Sequence, residues 1–161
     1  MEITAGHYSK KSFKNLTIFY SGLLVGLLDG TAAIINYLIK GGKHPEKIFN
    51  FISSGVFGKS GLSGGADMVA WGILFHLLIA FIWTLMFFWA YSKISLMRKS
   101  RIITGIVYGI IIWIVMNRLV LPLSNTPAIP FKMNQAIIAV LILIVAIGLP
   151  LSFIAKKQYL K

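Results

Sequence analysis

The sequence predicts an all-α membrane protein: one bundle of four transmembrane helices, with a short amphipathic helix in its first outer loop. Three observations carry that reading. Of the 161 residues, 57% are hydrophobic and only 12% charged, with a mean hydropathy of +0.81, so there is too little polar surface to cover a water-soluble domain. Four apolar runs, 16–39, 67–91, 102–121 and 134–155, each reach the roughly 20 residues that cross about 30 Å of hydrocarbon. The charged residues fall almost wholly between those runs. Residues 1–161 therefore read as a single membrane domain.

Each run is expected to be helical, because lipid offers no hydrogen-bond partner to an open backbone. None of them alternates polar with apolar residues, which excludes the strands of a barrel. The first run follows basic residues, as a secretory signal would. It is too long for a signal h-region and has no small-residue cleavage site after it, so it reads as a retained helix.

Orientation follows from the flanks. Lys10, Lys11, Lys14, Lys93, Arg98, Lys99, Arg101, Lys156, Lys157 and Lys161 fall on one side, and Lys40, Lys43, Lys47, Lys59, Arg118 and Lys132 on the other. Ten against six, the six spread over longer loops, predicts both termini in the cytoplasm. The formal charge of +12 then fits anionic headgroups rather than nucleic acid, which is not an expected partner.

In the first helix, Gly22, Gly26 and Gly30 recur every fourth residue. Together with Asp29, Ala33, Asn36 and Tyr37 they fill an arc of about 120°, opposite Leu23, Leu27, Ile34 and Leu38. Small residues let helix backbones approach, so this face should turn inward. Gly72, His76 and Ala80, continued by Trp83, form a like stripe on the second helix. Gly105 and Gly109 begin one on the third that reaches Met116 and Asn117. The fourth has Gln135, Ala139 and Ala146 aligned, and Pro150 frees a carbonyl near its cytoplasmic end.

Depth singles out one pair. At 1.5 Å per residue, Asp29 lies about 15 Å and His76 about 14 Å from the outer ends of their helices. An ionised Asp at mid-helix costs roughly 2.5–3.5 kcal/mol on an insertion scale, so it should find a partner or stay protonated. His76 is the nearest candidate. The pair reads either as a proton-linked or polar-cavity site, or as a hydrogen bond that fixes helix register. Nearer the outer surface lie Asn36, Asp67, Asn117 and Arg118, with Arg118 able to pair with Asp67 or to snorkel into headgroups. Tyr20, Tyr37, Trp71, Trp89 and Tyr91 sit near span ends, where an aromatic belt is expected.

The first outer loop, 41–65, holds seven glycines and does not span. Within it, 45–57 predicts a short helix: Pro45 and Glu46 suit a first turn, and Ile48, Phe49, Ile52 and Val56 share a face. It should lie in the outer interface or fold back over the bundle, as lid, dock or cap. Gly58-Lys59-Ser60 resembles the end of a phosphate loop, but Ser53 stands where the earlier glycine belongs and no strand precedes it. The loop from Pro122 to Phe131 has prolines at 122, 127 and 130, and so predicts a stiff surface connector.

Catalytic chemistry finds no set of residues. Glu2 and Glu46 lie outside the spans, and Asp29 and Asp67 are far apart along their helices. His7 is on the opposite side from His44 and His76, so no metal site is expected. Without cysteine there is no thiol chemistry. Ser63 and Ser124 have no base beside them in sequence. No cofactor is expected.

The strings Gly26-Leu27-Leu28-Asp29-Gly30-Thr31-Ala32-Ala33, Ile52-Ser53-Ser54-Gly55-Val56-Phe57-Gly58, Leu74-Phe75-His76, and Met116-Asn117 followed by Leu121-Pro122-Leu123 resemble a group of small, uncharacterised bacterial four-helix inner-membrane proteins. A looser likeness to YagU-like inner-membrane proteins covers the second half. The resemblance implies a bacterial cytoplasmic membrane and the same four-helix layout, with no activity to carry over. The leading expectation is a non-enzymatic accessory subunit or homo-oligomer associating through its glycine faces, with membrane lipids or a membrane protein as partner. The alternatives are a small transporter or channel using Asp29 and His76 in an outward cavity, and a lipid-modifying enzyme using His76 under the loop.

Overall fold

The computed structural model describes residues 13–128 and 130–159; Glu2, His7, Lys10, Lys11 and Lys161 lie outside them. All secondary structure among the described residues is helical, and four helices are long and apolar enough to span a membrane. This is a multi-pass membrane fold. The spans are α1 (Asn15–Ile39), α4 (Ala66–Lys93), α5 (Arg101–Leu123) and α6 (Met133–Gln158). Between α1 and α4 lie α2 (Glu46–Phe57) and α3 (Lys59–Ser63). The start of α1, the end of α6 and the α4–α5 turn share one end of the bundle, here the tail end; α2, α3 and the α5–α6 connector share the other, the loop end.

Local chemistry sets the helix boundaries. α1 stops at Gly41, whose φ of +83° suits a residue without Cβ. Gly41 N–H donates to the Leu38 carbonyl and Gly42 N–H to that of Tyr37, the paired bonds of a Schellman end. At the far end of α4, Arg98 donates to the Tyr91 carbonyl at 3.2 Å. Ser100 caps α5 by accepting from Ile103 N–H.

Two Leu-Pro-Leu triplets shape the later spans. Proline has no N–H to reach back four residues, and its ring crowds the carbonyl there. Ahead of Pro122 the helix widens into a π turn, Met116–Val120, and Leu121 N–H donates five residues back to Met116. Ahead of Pro150 the same happens over Ile144–Gly148, with Leu149 N–H donating to Ile144. The freed carbonyl expected at Pro150 is thus part of a local change of helix type. α5 continues through Pro122 to Leu123, so the stiff connector begins two residues later than the sequence suggested.

The glycines decide how close the helices come. A Cβ built on Gly105 would stand 2.9 Å from the Leu149 Cα, and one on Gly109 2.8 Å from the Ile144 Cα. From the facing side, a Cβ on Gly148 would collide with the Gly105 carbonyl. The α5/α6 crossing is therefore backbone on backbone, tied at the tail end by Ser152 donating to the Arg101 carbonyl at 2.6 Å. On α1, Gly22 admits the Phe81 ring and Gly26 admits Leu77 and Ala80 of α4. Ala146 is buried as the sequence suggested, but Gln135 is exposed, because α6 enters the bundle only beyond its first turns.

The densest packing lies in the tail half. Phe87, Phe88, Tyr91, Tyr108, Ile112, Leu151 and Ala155 form the core there. Phe87 and Tyr108 rings meet edge-on at 4.8 Å, and Phe13 lies 4.7 Å from Phe88. Tyr91, expected in an aromatic belt, is only 1% exposed; it stacks on Phe87, and the last turn of α4 turns it inward. Tyr20, Trp71 and Trp89 are exposed.

Candidate functional site

Where the tail half is filled, the loop half is not. α4 and α5 meet through the Tyr108 hydroxyl, which donates to the Trp83 carbonyl. Toward the loop end a cavity of about 510 Å³ opens between them. Ile79, Ala80 and Trp83 of α4 form one wall, and Ile112, Met116 and Val120 of α5 the other. Leu143 and Ile147 of α6 and Asp29 of α1 close the back. Both π turns border it, through Met116 and Val120 of the first and Ile147 of the second; such turns are frequent at functional sites. Leu78 and Val120 line the cavity yet are 54% and 39% exposed, so it opens sideways, onto the surface that faces lipid in a spanning bundle.

The roof is α2. Its first turn carries Glu46, whose carboxyl lies below its ordinary value through its own backbone N–H and a 2.9 Å bond with the exposed His44. Gly72 lets α2 rest on α4, since a Cβ there would stand 2.8 Å from the Phe49 Cα. The apolar side of α2 turns to α4 and the cavity: Phe49 lies 6.4 Å from the His76 ring, and Ile52 and Val56 line the space below. Its polar side is buried too. Asn50 donates to the Gly61 and Gly64 carbonyls at 3.0 and 2.9 Å, and Ser53 to the Asn50 carbonyl. Gly61 permits this, because a Cβ would reach within 2.6 Å of the Ser54 Cα. The expected amphipathic helix is therefore folded back over the bundle, with α3 covering its polar face.

A latch joins this hairpin to the far side of the cavity. Asn125, in the α5–α6 connector, donates its backbone N–H to the Gly55 carbonyl and its side-chain amide to the Val56 carbonyl, both at 3.0 Å. These are carbonyls that the C-terminal turn of α2 leaves open. Ser124 and Thr126 flank Asn125, bond each other at 2.9 Å, and line the cavity mouth.

Asp29 and His76 both face the cavity. His76 Nε2 lies 2.8 Å from the Gly26 carbonyl; a carbonyl only accepts, so Nε2 carries the proton and donates. Gly30 makes room for the ring, with a built Cβ standing 3.1 Å from Nε2. No hydrogen bond or ion pair among the described residues joins His76 to Asp29, and the Asp29 carboxylate accepts none from elsewhere. No buried side-chain oxygen among the described residues lacks a partner, so those carboxylate oxygens are accessible rather than sealed in the packing. Apart from this pair and the two hydroxyl residues at the mouth, the lining is apolar.

The polar residues nearer the loop end stay apart from the site. Asn117 donates to the Trp113 carbonyl of its own helix. Arg118 is exposed on the first π turn and forms no ion pair with Asp67, which is exposed in the first turn of α4. Asn36 is half-buried in the last turns of α1. Among the described residues no three His, Asp or Glu cluster as a metal would need. Ser124 donates to the Leu121 carbonyl and bonds the Thr126 hydroxyl, and Ser63 donates to the Lys59 carbonyl, so neither bonds a base. Nothing in the sequence marks Asn125, Thr126 or Phe51 for the site, whereas the repeated Leu-Pro-Leu triplet is a legible signal for the two π turns that border it. Comparison with protein-family models, curated proteins and solved structures finds no match.

Proposed function

We propose that this is a non-enzymatic protein of a bacterial cytoplasmic membrane, both termini inside, that binds an apolar or amphipathic guest taken sideways from the outer half of the bilayer. The cavity between α4 and α5 carries the reading. At about 510 Å³ it falls within the roughly 300–1,000 Å³ usual for small-molecule sites, which are mostly apolar with a few placed polar groups. Its lateral opening past Leu78 and Val120 gives a lipid-soluble guest a route in, and α2 shields it from the aqueous side. The excess of Lys and Arg at the tail end supports termini inside, and the family resemblance supports the bacterial setting.

This reading sits closer to a carrier than to a packing subunit. Gly22, Gly26, Gly30, Gly72, Gly105 and Gly109 are all taken up by contacts within the chain, so a second copy or a partner would have to dock on exposed lipid-facing side chains. An ion channel is less favoured, because an apolar lining offers ions no replacement for their water.

Native mass spectrometry of the purified protein tests the proposal. A lipid-sized adduct, one per chain, is expected on the wild type and should be lost or weakened in Met116→Phe, which fills space from the α5 wall. A wild type that carries no adduct after release from lipid nanodiscs would count against the reading.

A further inference from the structure

We propose that the guest of this cavity is a hydrophobic organic cation, such as an amphipathic amine or a quaternary ammonium or phosphonium ion, held at the Asp29 carboxylate. The inference rests on the guest-binding reading above and specifies its chemistry. Three features argue for it. Among the described residues Asp29 is the only carboxylate in the lining, and none of them gives it a hydrogen bond or an ion pair. An Asp in an apolar, membrane-embedded space stays protonated or takes a counter-charge, so a cation that displaces that proton and brings its own apolar surface recovers electrostatic and burial terms together. None of the described lysines or arginines lines the cavity, so no described Lys or Arg supplies that counter-charge.

The walls complement such an ion. Phe51, Phe75 and Trp83 line the cavity, and aromatic faces attract desolvated cations. His76, the other titratable group facing the space, has its Nε2 proton committed to the Gly26 carbonyl. That bond spends the Nε2 proton on the α1 backbone rather than on Asp29. A small inorganic cation would find neither the oxygen ligands nor the geometry it needs, whereas a bulky organic cation needs only one negative charge and apolar surface.

The test is equilibrium binding of tetraphenylphosphonium to the full-length protein in nanodiscs of zwitterionic lipid, with tetraphenylborate and neutral triphenylphosphine oxide as competitors. The expected result is one saturable site per chain, with competition by the anion and the neutral compound weaker by about thirtyfold or more, and an affinity loss of similar size in Asp29→Asn. If Asp29→Asn does not fold, the charge series on the wild type decides alone. Equal competition by all three probes overturns the cation assignment and leaves the guest-binding reading standing. No tetraphenylphosphonium binding, with the lipid adduct still present, also overturns it. Absence of both overturns both.

Discussion

His76 donates from Nε2 to the Gly26 carbonyl at 2.8 Å, and this is a side-chain bond between α4 and α1 at the level of the cavity. It exists because Gly30, one turn on, leaves the space in which the imidazole lies. Replacing Gly30 by Leu should push the ring away and cost roughly 1–3 kcal/mol through overpacking. Thermal unfolding in detergent measures the loss, and the imidazole proton chemical shift reports the lost bond. An unchanged shift would mean the ring does not depend on that glycine.

The glycines should differ sharply in what alanine does to them. Gly148→Ala sets a Cβ against the Gly105 carbonyl and should destabilise by about 3 kcal/mol, since backbone cannot step aside as a side chain can. Gly55→Ala should be neutral or stabilising by up to about 1 kcal/mol, because its Cβ meets Thr126 Oγ1 at an ordinary 3.5 Å inside a helix. Equal unfolding midpoints for the two variants would contradict the packing described.

Asn125→Ala removes one of the two bonds that tie the connector to α2, and leaves the backbone bond to the Gly55 carbonyl. The expected cost is about 0.5–1.5 kcal/mol. Hydrogen exchange should quicken over 46–63 and stay unchanged in the tail half.

Asn50→Ala reaches deeper. It strips the amide donor from the Gly61 and Gly64 carbonyls, leaving Gly61 the longer 3.3 Å bond from Ser53, at about 1–3 kcal/mol. Limited proteolysis should then cut within 58–65 before anywhere else. Cleavage no faster than in the wild type would show that α3 holds without that side chain.

The start of α2 should respond to acid. The Glu46 carboxyl is held below its ordinary 4.5 chiefly by its own backbone N–H, with His44 adding to it. A lowered acid stabilises the fold above its unfolded value, and that stabilisation disappears as pH falls through the lowered one. Amide exchange over 46–49 should therefore rise below about pH 4.5, and Glu46→Gln should remove the dependence.

Much of this architecture is legible in the chain. Spans follow from length and hydropathy, and counting 1.5 Å per residue set Asp29 and His76 at one depth, where the structure has them lining one cavity. Counting could not reveal that the His76 proton goes to a backbone carbonyl, since that depends on how closely α1 and α4 approach. The cavity lies between α4 and α5, two helices joined by a turn, and no local pattern records it. Apolar spacing found the face of α2 that meets α4. It missed the burial of Asn50, Ser53 and Ser54, because α3 is five residues long and has no periodicity to read. Tyr91 looked like a belt residue by position, and only the aromatic cluster around it explains why it points inward.

The most direct test of the central claim uses Trp83, which lines the cavity and is 6% exposed. With Trp71, Trp89 and Trp113 changed to Phe, its fluorescence in bilayers of lipid with brominated chains should be strongly quenched, and Met116→Phe should relieve the quenching. Trp83 fluorescence indifferent to brominated chains would show that no lipid-phase guest enters between α4 and α5, and would contradict the account.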